Sequence, residues 1–211
     1  MSPGTAVKVD NLVEAILRMG GELTVNGLSR QQFITLAEQY PGLRMDREIN
    51  GKISIMTPVK GGSGFRENRL STRITIWRLQ TGQGEVFSPS TGFDLPGGAV
   101  KSPDVAWLSN ERLAQLSPRQ IEEGFIPMAP DFVAEIRSKS DSLSRLKKKM
   151  QESWMANGVR LAWLIDPYGE KAYIYRNNME PETIIGFDKV LSGETVMVGF
   201  ILELSEFKLL S

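Results

Sequence analysis

The stretch Asp131-Phe132-Val133-Ala134-Glu135-Ile136-Arg137, taken with the residues from there to Ile165, decides the fold. Its apolar run reads as a core strand. Downstream, Leu143, Leu146, Met150 and Trp154 fall on one stripe of a helix over residues 142–157, and Asn157-Gly158 supplies the stop. Val159 to Ile165 is then almost continuously apolar, as expected of a strand buried on both faces. Strand, helix and second buried strand in succession make an α/β core.

Upstream of this unit, Leu70, Ile74 and Trp77 recur at helical spacing and predict a helix over 65–80, ended by Thr81 to Gly84. Strands are expected at 85–88, 92–95 and 104–108, with a short helix over 110–116. Downstream, Pro167-Tyr168-Gly169 turns the chain into an alternating strand at 170–176, and the tail to residue 211 reads as further short strands. Towards the N-terminus, Ser29 and Gln32 form a capping box for a helix over 30–39, stopped by Tyr40-Pro41-Gly42. Strands at 43–49 and 52–56 are joined by Asn50-Gly51, a pair suited to a hairpin turn with positive φ at both positions. Lys60 to Gly64 is glycine-rich but lacks the Gly-Lys-Ser/Thr ending of a phosphate loop, so it reads as a plain connection. Leu12, Ile16 and Leu17, followed by Gly20-Gly21, suggest an appendage helix within residues 1–27, leaving 28–211 as one domain.

Composition narrows the chemistry. The 211 residues are 41% apolar and 24% charged, ordinary for a globular chain. No run approaches the roughly 20 apolar residues of a membrane span, so no membrane partner is expected and a cytoplasmic location is the default. The sequence holds no cysteine and no histidine. That removes disulfides, thiol nucleophiles, Ser-His catalysis and His- or thiolate-bound zinc. Any metal must be held by oxygen, which points to a hard cation such as Mg²⁺, Mn²⁺ or Ca²⁺. The net charge is zero, so affinity for nucleic acid would have to come from a local basic patch.

Three acids stand out: Asp104 after Pro103 at a strand entry, Glu135 inside the apolar run, and Glu48 beside the Asn50-Gly51 turn. A carboxylate in a buried strand is costly unless it is paired or holds a cation. Alternation puts Asp131, Val133, Glu135, Arg137 and Lys139 on one face. Glu135 and Arg137 are then about 6.6 Å apart at a rise of roughly 3.3 Å per residue. The residues alone leave two readings of Glu135 open, a structural ion pair with Arg137 or a neighbouring helix, or a ligand to a cation.

The segments Ser102-Pro103-Asp104-Val105-Ala106-Trp107, Pro130-Asp131-Phe132-Val133-Ala134-Glu135-Ile136-Arg137-Ser138, and Asn157-Gly158-Val159 with Trp163-Leu164-Ile165-Asp166-Pro167 resemble the Uma-two family of restriction-endonuclease-like proteins. Glu48-Ile49-Asn50-Gly51-Lys52 and Ser90-Thr91-Gly92-Phe93-Asp94-Leu95-Pro96 match as well, so the likeness covers about residues 28–205. It implies the PD-(D/E)XK nuclease fold, an αβββαβ core with a mixed central sheet flanked by helices, here with extra N-terminal helices and hairpin and C-terminal strands.

The resemblance also implies roles. Asp104 and Glu135 match the metal ligands of the motif, Ile136 the residue that offers a backbone carbonyl, and Glu48 the acid before the family's turn. Two positions depart from the pattern. Arg137 stands where the motif has Lys, and arginine cannot act as a base. The family often takes its Lys from the following helix, where Lys149 is the nearest match, one position early, with Met150 at the expected place. A His common near the first core helix is also missing, its region being occupied by Arg66 or Asn68.

Helical geometry puts Lys147 at the border of the buried stripe and Lys149 on its other side, so Arg137 is expected to be the cation nearer Glu135. Arg145, Lys147, Lys148 and Lys149 form a basic run, either a solvated helix face or a phosphate rail. The implied function is a Mg²⁺- or Mn²⁺-dependent DNA endonuclease with catalytic residues Asp104, Glu135, Arg137, Lys149 and Glu48. The alternatives are a non-catalytic DNA-binding or interaction protein of the same fold and a metal-binding scaffold with no nucleic-acid role. A homodimer would supply two symmetry-related sites, as cutting both strands usually requires.

Overall fold

The computed structural model describes residues 23–25, 27–56 and 58–210. The expected appendage helix of residues 1–27 lies outside the described residues, apart from a three-residue strand at 23–25. The chain divides into two compact units, residues 1–58 and 59–211.

In the first unit, β1 (Leu23–Val25), β2 (Arg44–Arg47) and β3 (Ile53–Met56) pair antiparallel in the order β1-β3-β2. Helix α1 (Arg30–Gln39) precedes the hairpin. Ser29 Oγ accepts from the Gln32 N–H, and the Gln32 side chain accepts from the Ser29 N–H, so the capping box forms as expected. The hairpin turn differs from expectation. The Gly51 N–H donates to Glu48 O and the Glu48 N–H to Lys52 O, which makes a three-residue loop over Ile49–Gly51. Gly51 has φ +80, whereas Asn50 is not among the residues with positive φ. This is a turn closed by a glycine bulge, which needs one left-handed residue and not two. Only glycine fits there, because a Cβ on Gly51 would lie 2.8 Å from Leu28 O.

The second unit is built on a six-stranded sheet in the order β11-β10-β9-β8-β7-β4. Its strands are β4 (Glu85–Phe87), β7 (Val105–Leu108), β8 (Phe132–Ile136), β9 (Leu161–Asp166), β10 (Lys171–Arg176) and β11 (Glu182–Ile185). Only β8 and β9 run parallel; the other neighbours are antiparallel. The sheet is therefore mixed and open. Two small hairpins, β5 (Phe93–Asp94) with β6 (Val100–Lys101) and β12 (Val190–Ser192) with β13 (Ile201–Glu203), flank it.

Alternation along the central strands sends residues to two cores. Phe132, Ala134, Ile136, Leu161, Trp163 and Ile165 pack with Leu70, Ile74 and Trp77 of helix α2 (Gly61–Thr81). Val133, Ala162 and Leu164 pack on the other side with Met150 and Trp154. Both faces of β8 and β9 are covered, which is why these strands read as continuous apolar runs. Helix α2 begins earlier than its apolar stripe suggests. The glycine-rich stretch expected to be a connection forms its first turn, with Lys60 at the N-cap. Glycine is a poor helix former, but here Arg66 NH1 donates to Gly62 O and holds that turn in place. Two short helices follow β7, α3 (Asn110–Leu113) and α4 (Pro118–Glu122).

The crossover from β8 to β9 is not the single helix expected over 142–157. It is an α-helix, α5 (Leu143–Lys149), then a π-helical turn over Met150–Trp154, then a 3₁₀ turn over Met155–Asn157 that ends at Gly158 with φ 93. The β8–helix–β9 crossover determines the site.

Candidate active site

Asp104 and Glu135 sit on neighbouring strand positions. Val105 pairs with Ala134, so one step further along the register Asp104 stands opposite Glu135. Cβ atoms of residues directly opposite in an antiparallel pair are about 4.5–5.5 Å apart. Asp104 has the same parity as Ala106 and Leu108, and Glu135 the same as Val133. Those three pack into the core that contains Met150 and Trp154, so both carboxylates belong to the sheet face covered by the π turn.

Glu135 is buried and Asp104 half-buried. Asp104 Oδ2 accepts the Ile136 N–H at 2.7 Å, so Ile136 enters the site through its amide. Burial pushes the Asp104 carboxyl up, to about 7, helped by the negative charges of Glu135 and then Glu67; the Lys149 ammonium and the Ile136 N–H oppose the shift. Desolvation and like charge both penalise the ionised form.

Glu67 is a further buried acid, with its charge felt at Asp104, that the motif-based reading misses. That reading points to Arg66 or Asn68 on the first core helix. The helix instead turns Glu67 inward, where it is buried and its charge acts on Asp104. The sequence carries a signal for it: Glu67 lies three and seven residues before Leu70 and Ile74, on the same apolar stripe. Arg66 is buried too but serves the fold, donating to the carbonyls of Phe207 and Lys208, and Asn68 is exposed.

The two candidate cations take the opposite order from the one expected. Lys149 Nζ is 2.6 Å from Glu135 Oε1. Arg137 is occupied elsewhere: NH1 contacts both oxygens of Asp166 at 3.1 and 3.2 Å, and Nε donates to Asp141 O. The parallel register explains this. Ile136 pairs with Ile165, so Asp166 is the acid beside Arg137 on β9. Asp166 is 2% exposed and also accepts the amides of Tyr168 and Gly169, so it is a fixed and buried anion. A buried carboxylate one strand away outcompetes one already engaged by Lys149.

Lys149 reaches Glu135 because of the π turn. Lys149 and Trp154 are five residues apart, which on an α-helix separates them by about 140° at roughly 3.6 residues per turn. A π turn bonds residue i to i+5 and brings such a pair onto one side. Trp154, fully buried, donates its indole N–H to the same Glu135 Oε1 at 2.9 Å. Its place on the apolar stripe marks it only as a core aromatic. A buried tryptophan usually finds a partner for its N–H, and the nearest acid on the facing strand is Glu135.

Glu48 is half-buried in the hairpin loop of the first unit. Lys147 Nζ lies over the Tyr173 ring at 3.9 Å, and Lys148 pairs with Glu152 on an exposed face. Asp131, at the other end of β8, is held by Ser109 N and by Arg112 and Arg160.

Among the described residues no group of three or more acidic, His or Cys side chains is arranged to hold a metal. The donor set nonetheless fits a hard cation. Two carboxylates face each other across a strand pair with one ammonium group beside them, all donors are oxygen, and Mg²⁺ typically uses one or two carboxylates and keeps its waters.

A mixed sheet flanked by helices is the fold that the resemblance to restriction-endonuclease-like proteins implies. The pattern of the Uma-two family, described as "putative restriction endonuclease", matches residues 30–205, and the chain belongs to that family. A crystal structure titled a "putative nuclease" from Anabaena variabilis shares the fold, with TM-score 0.70 and 20% identity over 86% of this chain and 97% of the other. No curated protein matches. No helix among the described residues is long and apolar enough to cross a membrane.

Proposed function

We propose that this protein is a divalent-cation-dependent endonuclease that hydrolyses phosphodiester bonds in DNA. The observation that carries the reading is the placement of Asp104 opposite Glu135 with Lys149 Nζ on Glu135 Oε1. Membership of a family described as restriction endonucleases supports DNA as the substrate.

Asp104 and Glu135 would hold Mg²⁺ or Mn²⁺, with Glu67 adding negative field. When bound, such a cation lowers the pKa of a coordinated water and offsets charge on the phosphate. The chain's own residues account for the rest. The Ile136 amide fixes one oxygen of Asp104 and so sets the direction of its carboxyl group. Lys149 is a rotatable ammonium with three donors. From its place on Glu135 it orients the attacking water or binds a non-bridging phosphate oxygen as charge builds there. Water attacks phosphorus, the P–O ester bond breaks, and one proton of the water ends on the departing alkoxide, which leaves as a hydroxyl, while the other stays with the new phosphate monoester. No cysteine or histidine is available for a covalent step through those residues. Arg137 has no part in this scheme; it pins the end of β8 to β9.

The test is nicking of supercoiled plasmid in Mg²⁺ and in Mn²⁺. Open circles that appear with either metal, vanish in EDTA and are absent with Asp104→Ala support the proposal. Cleavage that is undiminished in EDTA would overturn it.

A further inference from the structure

Glu135 has two oxygens, and they are used unequally. Oε1 accepts both Lys149 Nζ at 2.6 Å and Trp154 Nε1–H at 2.9 Å. Among the described residues Oε2 accepts no hydrogen bond. The two donors differ in kind. Lys149 ends a flexible stem that is 22% exposed. The Trp154 ring is 0% exposed and is packed in the core with Met150, Leu164 and Tyr173, so its N–H is fixed in direction. Lys149 Nζ also lies 5.8 Å from the Trp154 ring centroid, at the outer edge of cation–π range.

We propose that Trp154 is a positioning residue: its indole N–H, set by the π turn, locks one oxygen of Glu135 and so presents the other to the cation site beside Asp104. A free carboxylate rotates and offers either oxygen, or both. One tied by a rigid donor offers a single oxygen in a single direction. The π turn makes this possible, because it places residues 149 and 154 on one side of the helix, where both reach Oε1. Partners of this kind around a ligating group are worth about 10–100-fold in metal affinity or activity. This inference rests on the cation site proposed above.

The test separates the two. Calorimetric titration with Mn²⁺ compares the wild type with Trp154→Phe, which keeps an aromatic ring and loses the N–H. The expected result is about tenfold weaker Mn²⁺ binding by Trp154→Phe, measured well below its melting temperature. A packing role alone would lower the melting temperature and leave the affinity unchanged, and that result overturns the proposal. A wild type that binds no Mn²⁺ overturns the nuclease reading itself.

A second measurement does not depend on the folding of Trp154→Phe. The chain has four tryptophans and therefore four indole N–H resonances in a ¹H–¹⁵N spectrum. Trp77 donates to Val198 O, Trp107 donates to Gln83 O, and Trp163 Nε1 has no partner among the described residues. Only the Trp154 indole donates to a carboxylate. Its resonance is expected to move strongly and lose exchange protection in Glu135→Ala while the other three hold, and to shift on titrating Mg²⁺ into the wild type. Four resonances unmoved by Glu135→Ala would refute the positioning role.

Discussion

Lys149 Nζ stands 2.6 Å from Glu135 Oε1, while Arg137, two residues beyond Glu135 on the same chain, contacts Asp166 instead. At the position where the resembled motif has lysine, Arg137 makes an ion pair with Asp166, and the ammonium beside Glu135 comes from the helix. Each half of this division of labour can be checked.

Removing the ammonium should damage chemistry more than fold. Lys149→Met is expected to lower plasmid nicking by on the order of 100-fold, the scale seen when one donor to a developing oxyanion is lost. Lys149→Arg, which keeps the charge, should retain more activity than Lys149→Met. Equal nicking by Lys149→Met and wild type would remove Lys149 from the site.

Arg137 should behave in the opposite way. Arg137→Ala strips a buried carboxylate of its cation and frees the Asp141 carbonyl. Its guanidinium is partly exposed, so the expected loss of stability is modest, about 1–3 kcal/mol in a denaturant titration. Arg137→Lys should leave the nicking rate within about twofold of wild type, because Lys149 already serves. A large gain of activity in Arg137→Lys would show that the strand position still limits catalysis.

Metal-free protein should be strained by its own carboxylates. The Asp104 carboxyl is raised from 3.8 to about 7 in the folded chain, so the folded state holds the proton more tightly than the unfolded state. Its contribution to stability is present below about pH 4 and is lost as pH rises to 7. In EDTA, Asp104→Asn should therefore be the more stable form at pH 8. Its advantage should shrink towards pH 4, read as a difference in melting temperature of several degrees at about 2–4 °C per kcal/mol for a chain of this size. Parallel pH profiles for the two proteins would contradict the crowding of Asp104 by Glu135 and Glu67.

Much of this arrangement is legible in the sequence. Apolar runs bounded by turn residues locate β8, β9 and α2, because both faces of the sheet are covered and periodicity then reports burial directly. Glu135 is visible as an acid where an acid is costly, whereas Asp104, at an ordinary strand entry, is singled out by the family resemblance. Other parts depend on register, which a linear pattern does not display. Arg137 and Glu135 share a face of the strand, but only the parallel pairing of β8 with β9 brings Asp166 next to Arg137. The π turn is hidden because Leu143, Leu146, Met150 and Trp154 satisfy an uninterrupted α-helix equally well. The one clue is that Lys149 sits one position early, and the π turn takes up that extra residue. Glu67 is easily passed over beside a missing histidine, although it continues the stripe of Leu70 and Ile74.

The most direct test of the account is anomalous diffraction from crystals soaked in Mn²⁺. One peak is expected within inner-sphere distance, about 2.1 Å for a small divalent cation, of an Asp104 carboxylate oxygen and of Glu135 Oε2, with Oε1 still bonded to Lys149 and Trp154. No peak between Asp104 and Glu135 at saturating Mn²⁺, or a cation on Oε1 with Lys149 displaced, would contradict it.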